Sequence, residues 1–261
     1  MNPQPNLASV IRSEWIKFRT VRSSVTGVFL TFVLTVGLGA LVTSTIRSHW
    51  GERSALRRAI FDPVSTSLSG TLFAQFAIGV IGVLFVSSEY SSGSIRTSLA
   101  AVPRRLRLVA AKCVVLSIVV IIVAELASFI TFILGQSIYS GVVPTASLAN
   151  AAVLRSVLFA GLYLTLLSLI GLGLGLILRQ SAASISVFTS LLLIVPIITL
   201  LLPQSWQNTM DRYEPSQLGQ AMMSPTPAAF SFSAWMALLI LTLYTAAIVG
   251  AGSAMLARRD H

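Results

Sequence analysis

Charge is scarce in this chain: only 10% of its 261 residues are Asp, Glu, Lys or Arg, against about a quarter in soluble domains. Cysteine is rarer still. Cys113 stands alone, which excludes an internal disulfide framework and a cysteine-based metal cluster within one chain. The two histidines, His49 and His261, lie in a loop and at the last residue, so neither heads a buried triad nor pairs as a helical zinc site. Asp62, Asp211 and Asp260 fall outside the apolar runs. A phosphate-binding loop needs Gly-Lys followed by Ser or Thr, yet the only two lysines, Lys17 and Lys112, follow Ile16 and Ala111. The residues therefore offer no catalytic site, no metal site and no route to ATP hydrolysis by the chain itself.

What is abundant is apolar: 55% of residues are hydrophobic and the mean hydropathy is +0.85. Six runs are long enough to cross a hydrocarbon core of about 30 Å as helices, which takes roughly 20 residues at 1.5 Å each. They are expected near Ser24–Ile46, Ser67–Ser87, Cys113–Leu134, Val153–Leu178, Ala182–Leu202 and Ser233–Leu256. Unbroken stretches such as Val114–Ala124 lack the alternation of a membrane barrel, so the class is an all-α integral membrane protein. The first 23 residues are polar and charged rather than a secretory leader, and the first apolar run is expected to stay as an anchor. A net charge of +10 would suggest nucleic acid in a soluble protein. Here the basic residues flank the spans, where they meet anionic headgroups of the lipid bilayer, and no nucleic-acid partner is expected.

Counting Lys and Arg on alternate sides of the six spans gives twelve on the side of the termini and six on the other. Positive residues resist translocation in short loops, so both termini are expected in the cytoplasm. The first outer loop, "RSHWGERSALRRAIFDP", works against this with four arginines.

Three patches outside the spans are informative. In residues 1–23, Leu7, Val10, Ile11, Trp15, Phe18 and Val21 recur at three- and four-residue steps, the pattern of an amphipathic helix lying on the membrane surface. Arg12 and Arg19 take other faces, while Glu14 breaks the apolar stripe. It can pair with Lys17 on its own helix or reach a basic residue of the segment between spans two and three. The second patch, "SSEYSSGSIRTSLAAVPRRLRLVAAK", separates spans two and three. It reads as a short helix entering at Ser87–Glu89, a turn near Gly93, an amphipathic stretch Ile95–Val102 and a stop at Pro103. Arg104, Arg105 and Arg107 serve topology there, but Glu89 does nothing for the positive-inside rule and points to a partner. The third patch, residues 203–231, is too polar to span.

Inside the spans, Glu125 is the only acid near mid-membrane. It is either a gate or substrate contact, or a carboxyl held by a neighbouring Ser, Thr or Gln such as Gln75. Gln75 and the span-one threonines Thr26, Thr31, Thr35 and Thr43 can wet a central path or bond back to their own helices. Pro196 is expected to kink span five, as a gate hinge or as a static bend. Gly171, Gly173 and Gly175 permit a close helix approach.

The middle patch resembles the cytoplasmic segment of type 2 ATP-binding-cassette exporter permeases, where Glu-Tyr or Glu-Arg, a Gly, a Pro-Arg pair and a Lys recur in this order. "SEWIKFRTVRSS" and "LARRD" are also similar to that family's short bacterial members. The resemblance implies a permease of the bacterial plasma membrane that pairs with a second copy of itself across spans one, two and five. It binds two copies of a cytoplasmic ABC ATPase, which would hold the ATP and Mg; no cofactor is bound by this chain. Residues 88–107 would be its coupling segment, with Glu89, Tyr90, Gly93, Arg96 and Arg104 at the ATPase contact. Glu14, Trp15, Lys17 and Arg19 would belong to the surface helix, Gln75, Glu125 and Pro196 to the pathway, and residues 203–231 to an outer re-entrant region capping the exit, with a short outer helix at Ser216–Met223. The implied activity is export of a hydrophobic or amphipathic compound, such as an antibiotic, drug or lipid-like molecule. The alternatives are a membrane scaffold or immunity protein that moves nothing, and an ion-coupled carrier using Glu125.

Overall fold

All six apolar runs fold as helices in the computed structural model, which describes residues 6–102, 104–226 and 231–258. The stop expected at Pro103 and the contributions of Arg259, Asp260 and His261 lie outside the described residues. Helix α1 (Leu7–Thr20) is capped by the Asn6 side chain, which accepts from the Ser9 amide, and leads into the first crossing, α2 (Arg22–Ser48). Two short helices, α3 (Ala55–Ala59) and α4 (Pro63–Ser67), and a 3-10 turn (Leu68–Gly70) precede α5 (Thr71–Ser91). Then come α6 (Ser94–Ala101), α7 (Arg105–Tyr139), α8 (Ala151–Leu178) and α9 (Ser181–Thr199). Short α10 (Gln204–Met210), a 3-10 turn (Asp211–Tyr213) and α11 (Pro215–Met223) lead to α12 (Ala234–Arg258). No strand occurs among the described residues.

Helix α7 is 35 residues long, about 52 Å at 1.5 Å per residue. It is longer than the roughly 30 Å of a hydrocarbon core, and its first turns bury Leu108, Ala111 and Lys112 against other helices. Its start sits beside the end of α12, where Arg105 Nη1 donates to the Leu256 carbonyl at 2.8 Å. The two ends of the chain thus share one end of the bundle, hereafter the basic end.

Helix α8 is the hub, with 72% of its most apolar stretch buried against 17% for α2 and 22% each for α9 and α12. Lipid tails are as apolar as leucine, so close packing rather than hydrophobic burial must hold such helices together. Glycines supply it. A side chain on Gly171 would run into the Gly79 carbonyl of α5, one on Gly82 into the Ser168 carbonyl of α8, and one on Gly173 into the α12 backbone near Ile248. The glycine-rich run of span four therefore makes contacts inside the subunit. α5 is 61% buried over its span, so little of span two is left to face a second copy. The outward apolar faces belong instead to α2, α7, α9 and α12, through residues such as Phe29, Ile122, Leu126, Leu193, Ile197 and Trp235.

One expectation on the loops changes. α5 does not stop at the membrane surface; it runs through Glu89 to Ser91, so the short helix expected at Ser87–Glu89 is the last turn of the span. On the opposite side, α11 matches the expected outer helix to within one residue, and α10 is an additional one.

Candidate functional site

Residues 92 and 93 alone join α5 to α6. Gly93 adopts φ +72°, a left-handed conformation that side chains resist, and this reverses the chain tightly enough to lay α6 under the bundle. α6 then buries Ile95 with Val10 of α1, Val102, and Leu108 and Ala111 of α7 in a small apolar cluster of its own. Arg96, Thr97 and Ala100 are left exposed on its other face.

Beside that cluster lies the most concentrated charge in the protein. Val10, Glu14 and Phe18 recur four residues apart on one face of α1, and all three are buried. Phe18 meets Phe85 edge to face with centroids 5.2 Å apart, which presses Glu14 against α7. Lys112 of α7, 1% exposed, donates to Glu14 Oε2 at 2.7 Å and to Glu89 Oε1 at 2.8 Å. Its Nζ also stands 4.6 Å from the Phe85 ring centroid, a cation–π contact. Lys17 donates to Glu14 Oε1 at 2.7 Å, Glu89 Oε1 at 3.0 Å and Ser98 Oγ of α6 at 2.9 Å.

Two carboxylates and two ammoniums thus form an ion clasp that ties α1, α5, α6 and α7 together with no net charge. Burying either pair alone would cost several kcal/mol per ion in lost hydration, and only full mutual pairing offsets that. Burial draws the Lys17 ammonium down, but its hydrogen bond to Glu14 and the charges of Glu14 and Glu89 outweigh this and hold it above its usual range. The chain has sixteen arginines and two lysines, and both lysines are here. A compact ammonium on a flexible stem fits between several oxygens where a planar guanidinium would not.

The geometry corrects the expectation for Glu89. Its carboxylate does not point outward to a partner; it is 8% exposed and faces Lys112 and Lys17. Glu14 takes both of its proposed partners at once. Of the other expected contact residues, Gly93 makes the turn, and Arg96 and Arg104 are exposed. Tyr90 lies under the Arg179 guanidinium at 5.4 Å. Tyr90, Gly93, Arg96, Leu99 and Arg179 line a groove of about 680 Å3. Trp15 and Arg19 are exposed on the outer side of α1.

The pathway candidates are not brought together. Gln75 is buried and accepts a hydrogen bond from the Tyr163 hydroxyl, while Glu125 packs against Gly161, where an added Cβ would meet its carboxyl. Positions 161 and 163 point to different sides of α8, so Gln75 cannot satisfy Glu125, whose Oε2 is buried without a hydrogen-bond partner. Thr31, Thr35 and Thr43 donate to carbonyls four residues back on α2. Pro196 lies within α9, one turn from its end.

Sequence reasoning missed Lys112 as a site residue, and with it Ser98, Arg179 and Tyr163. Two signals could have marked Lys112: the rarity of lysine in the chain and its place as the closing Lys of the family-like segment. A search of the curated proteins finds no match. A family model described as ABC-2 family transporter protein matches residues 10–195, from within α1 through the clasp and its surrounding helices to Val195 in α9. With six membrane-capable helices and a match over most of its length, the chain belongs to the ABC-2 transporter family as a membrane permease subunit, a family membership that implies an ABC ATPase partner.

Proposed function

We propose that the chain is the permease of an ATP-driven exporter that moves a hydrophobic or amphipathic compound out across a bacterial plasma membrane. Two copies pair through the outward faces of α2 and α9, and two copies of the ATPase sit beneath them in the cytoplasm, holding the ATP and Mg. α6 is the coupling helix. Its outer face, with Arg96, Thr97 and the nearby Arg104, and the groove of Tyr90, Gly93 and Arg179 dock the ATPase.

One observation carries this reading: α6 is polar and exposed on one side and bonded on the other, through Ser98, to an ion cluster that reaches three further helices. A push on α6 is therefore delivered to α1, α5 and α7 together. Glu89 acts in this role within the chain, as a positioning residue.

The test is co-purification. The wild-type permease is expected to bring down a soluble Walker-motif protein and to stimulate its ATP hydrolysis, and Arg96→Glu to lose both while remaining in the membrane. Retention of the partner by Arg96→Glu would overturn the docking face. A second reading, an ion-coupled carrier, is favoured only by the unbonded oxygen of Glu125 and requires transport with no nucleotidase present.

A further inference from the structure

At the end of the bundle away from the ion clasp, a chamber of about 490 Å3 opens between α8, α9, α12 and the outer helices. This volume lies in the range of roughly 300–1,000 Å3 that holds drug-sized ligands. Its walls are almost wholly apolar, with Ile170, Leu191, Val195 and Ile248 among them. Leu191 lies eight residues before Thr199, so the chamber reaches about 12 Å along α9 from its outer end.

One acid faces this apolar space. Glu214 lines the chamber and is 5% exposed, and its Oε1 is buried with no hydrogen-bond partner. Glu214 occupies the cap position of α11, where a side chain ordinarily accepts from the first turn, yet it makes no such bond. No cation pairs with it among the described residues. Arg212, two residues away, stacks instead on the Tyr213 and Phe232 rings, each at 5.3 Å. Burial pushes the Glu214 carboxyl above its usual range; the Thr199 hydroxyl opposes the shift and the like charge of Asp211 adds to it. A buried acid with one oxygen unbonded and no cation beside it is costly, and nothing in the fold of α11 requires one here.

What would satisfy it is a ligand with one cationic donor and an apolar body. We propose that this chamber binds a lipophilic amine, with the ammonium on Glu214 Oε1 and the body against Leu191, Val195 and Ile248. The Tyr213 and Tyr244 rings at the same site add faces to which a cation is attracted. An anionic amphiphile of the same shape is repelled by Glu214 and Asp211, and a neutral one leaves the carboxyl unpaired.

The test uses purified full-length permease in nanodiscs of zwitterionic lipid, with no ATPase, so its outcome is separate from that of the transport reading. The probe is radiolabelled propranolol, a naphthyl-bearing secondary amine. The wild type is expected to bind it saturably, with 1-naphthol a weak competitor and 1-naphthoic acid none. Glu214→Gln is expected to weaken binding at least about tenfold, the scale of a lost hydrogen bond to a charged group. Ala247→Trp, which keeps Glu214 and places an indole at the chamber wall, is expected to weaken saturable binding markedly. Equal affinity in Glu214→Gln, unchanged binding in Ala247→Trp, or displacement by naphthoic acid would each overturn the proposal. Should Glu214→Gln fail to insert, Ala247→Trp and the naphthoic acid arm decide it.

Discussion

Replacing Lys112 by Met keeps the length of the side chain and removes its charge from the clasp. Glu14 and Glu89 then share Lys17 alone, although both carboxylates stay buried. Removing one partner of a buried ion pair costs about 3–5 kcal/mol, and because Lys17 still balances one carboxylate, the lower end of about 3 kcal/mol applies. Of the three helices that Lys112 joins, α1 has least else to hold it: its buried side chains are Val10, Glu14 and Phe18. The loss should therefore appear as local opening of α1 rather than as global unfolding. At about 1.4 kcal/mol per factor of ten, amides of α1 that exchange through local opening should speed up roughly 100-fold in hydrogen–deuterium exchange. Amides in the middle of α8 should not change. Adding Glu14→Gln should recover part of the loss, because it removes the carboxylate that Lys112→Met leaves unbalanced. Exchange of α1 within about twofold of wild type in Lys112→Met would refute the reasoning, since this is far below the cost of an orphaned buried charge.

Other outcomes follow from the same geometry. Ser98→Ala removes the single bond from α6 to Lys17 and is expected to cost about 1 kcal/mol or less of stability while lowering the export achieved per ATP hydrolysed in proteoliposomes; an unchanged ratio contradicts the link. Gly82→Val drives a side chain into the Ser168 carbonyl and should destabilise the α5–α8 contact by about 1–3 kcal/mol or more, read as a lower melting temperature in detergent. Glu125→Gln should leave expression and ATP-driven export unchanged, and an abolished export would make Glu125 part of the pathway. Lys17 is held above its ordinary value of 10.5, so its stabilising contribution is complete below pH 10.5 and is lost as pH rises through the higher folded value. Trp15 emission, with Trp50, Trp206 and Trp235 replaced by Phe, should report α1 release only in that alkaline window, and Lys17→Met should remove the transition.

The spans were legible because each is a continuous apolar run, a property of neighbouring residues. α3, α4 and α10, of five to seven residues, leave too few turns for a periodicity to show. The end of α5 was misplaced because Ser87, Ser88 and Glu89 look like the edge of the membrane, whereas Ser88 bonds back to the Leu84 carbonyl at 2.5 Å and Glu89 is neutralised from other helices. At the clasp, both acids announced themselves: Glu14 by breaking an apolar stripe, Glu89 by having no topological use. Their common partner did not, because Lys112 is 98 residues from Glu14 and reads locally as one more headgroup-facing cation. Glu125 was open to a Gln75 contact on the same grounds, and only the facing of α8 excludes it.

In the proposed mechanism a partner's work enters this chain through the clasp. The most direct measurement of this is uphill export by proteoliposomes containing the purified permease, with and without its ABC ATPase, for wild type and Glu89→Ala. Export is predicted to require both the ATPase and ATP, and Glu89→Ala is predicted to stay inserted and retain ATP hydrolysis while moving no cargo. Uphill export without the ATPase, or full export by Glu89→Ala, would contradict the account.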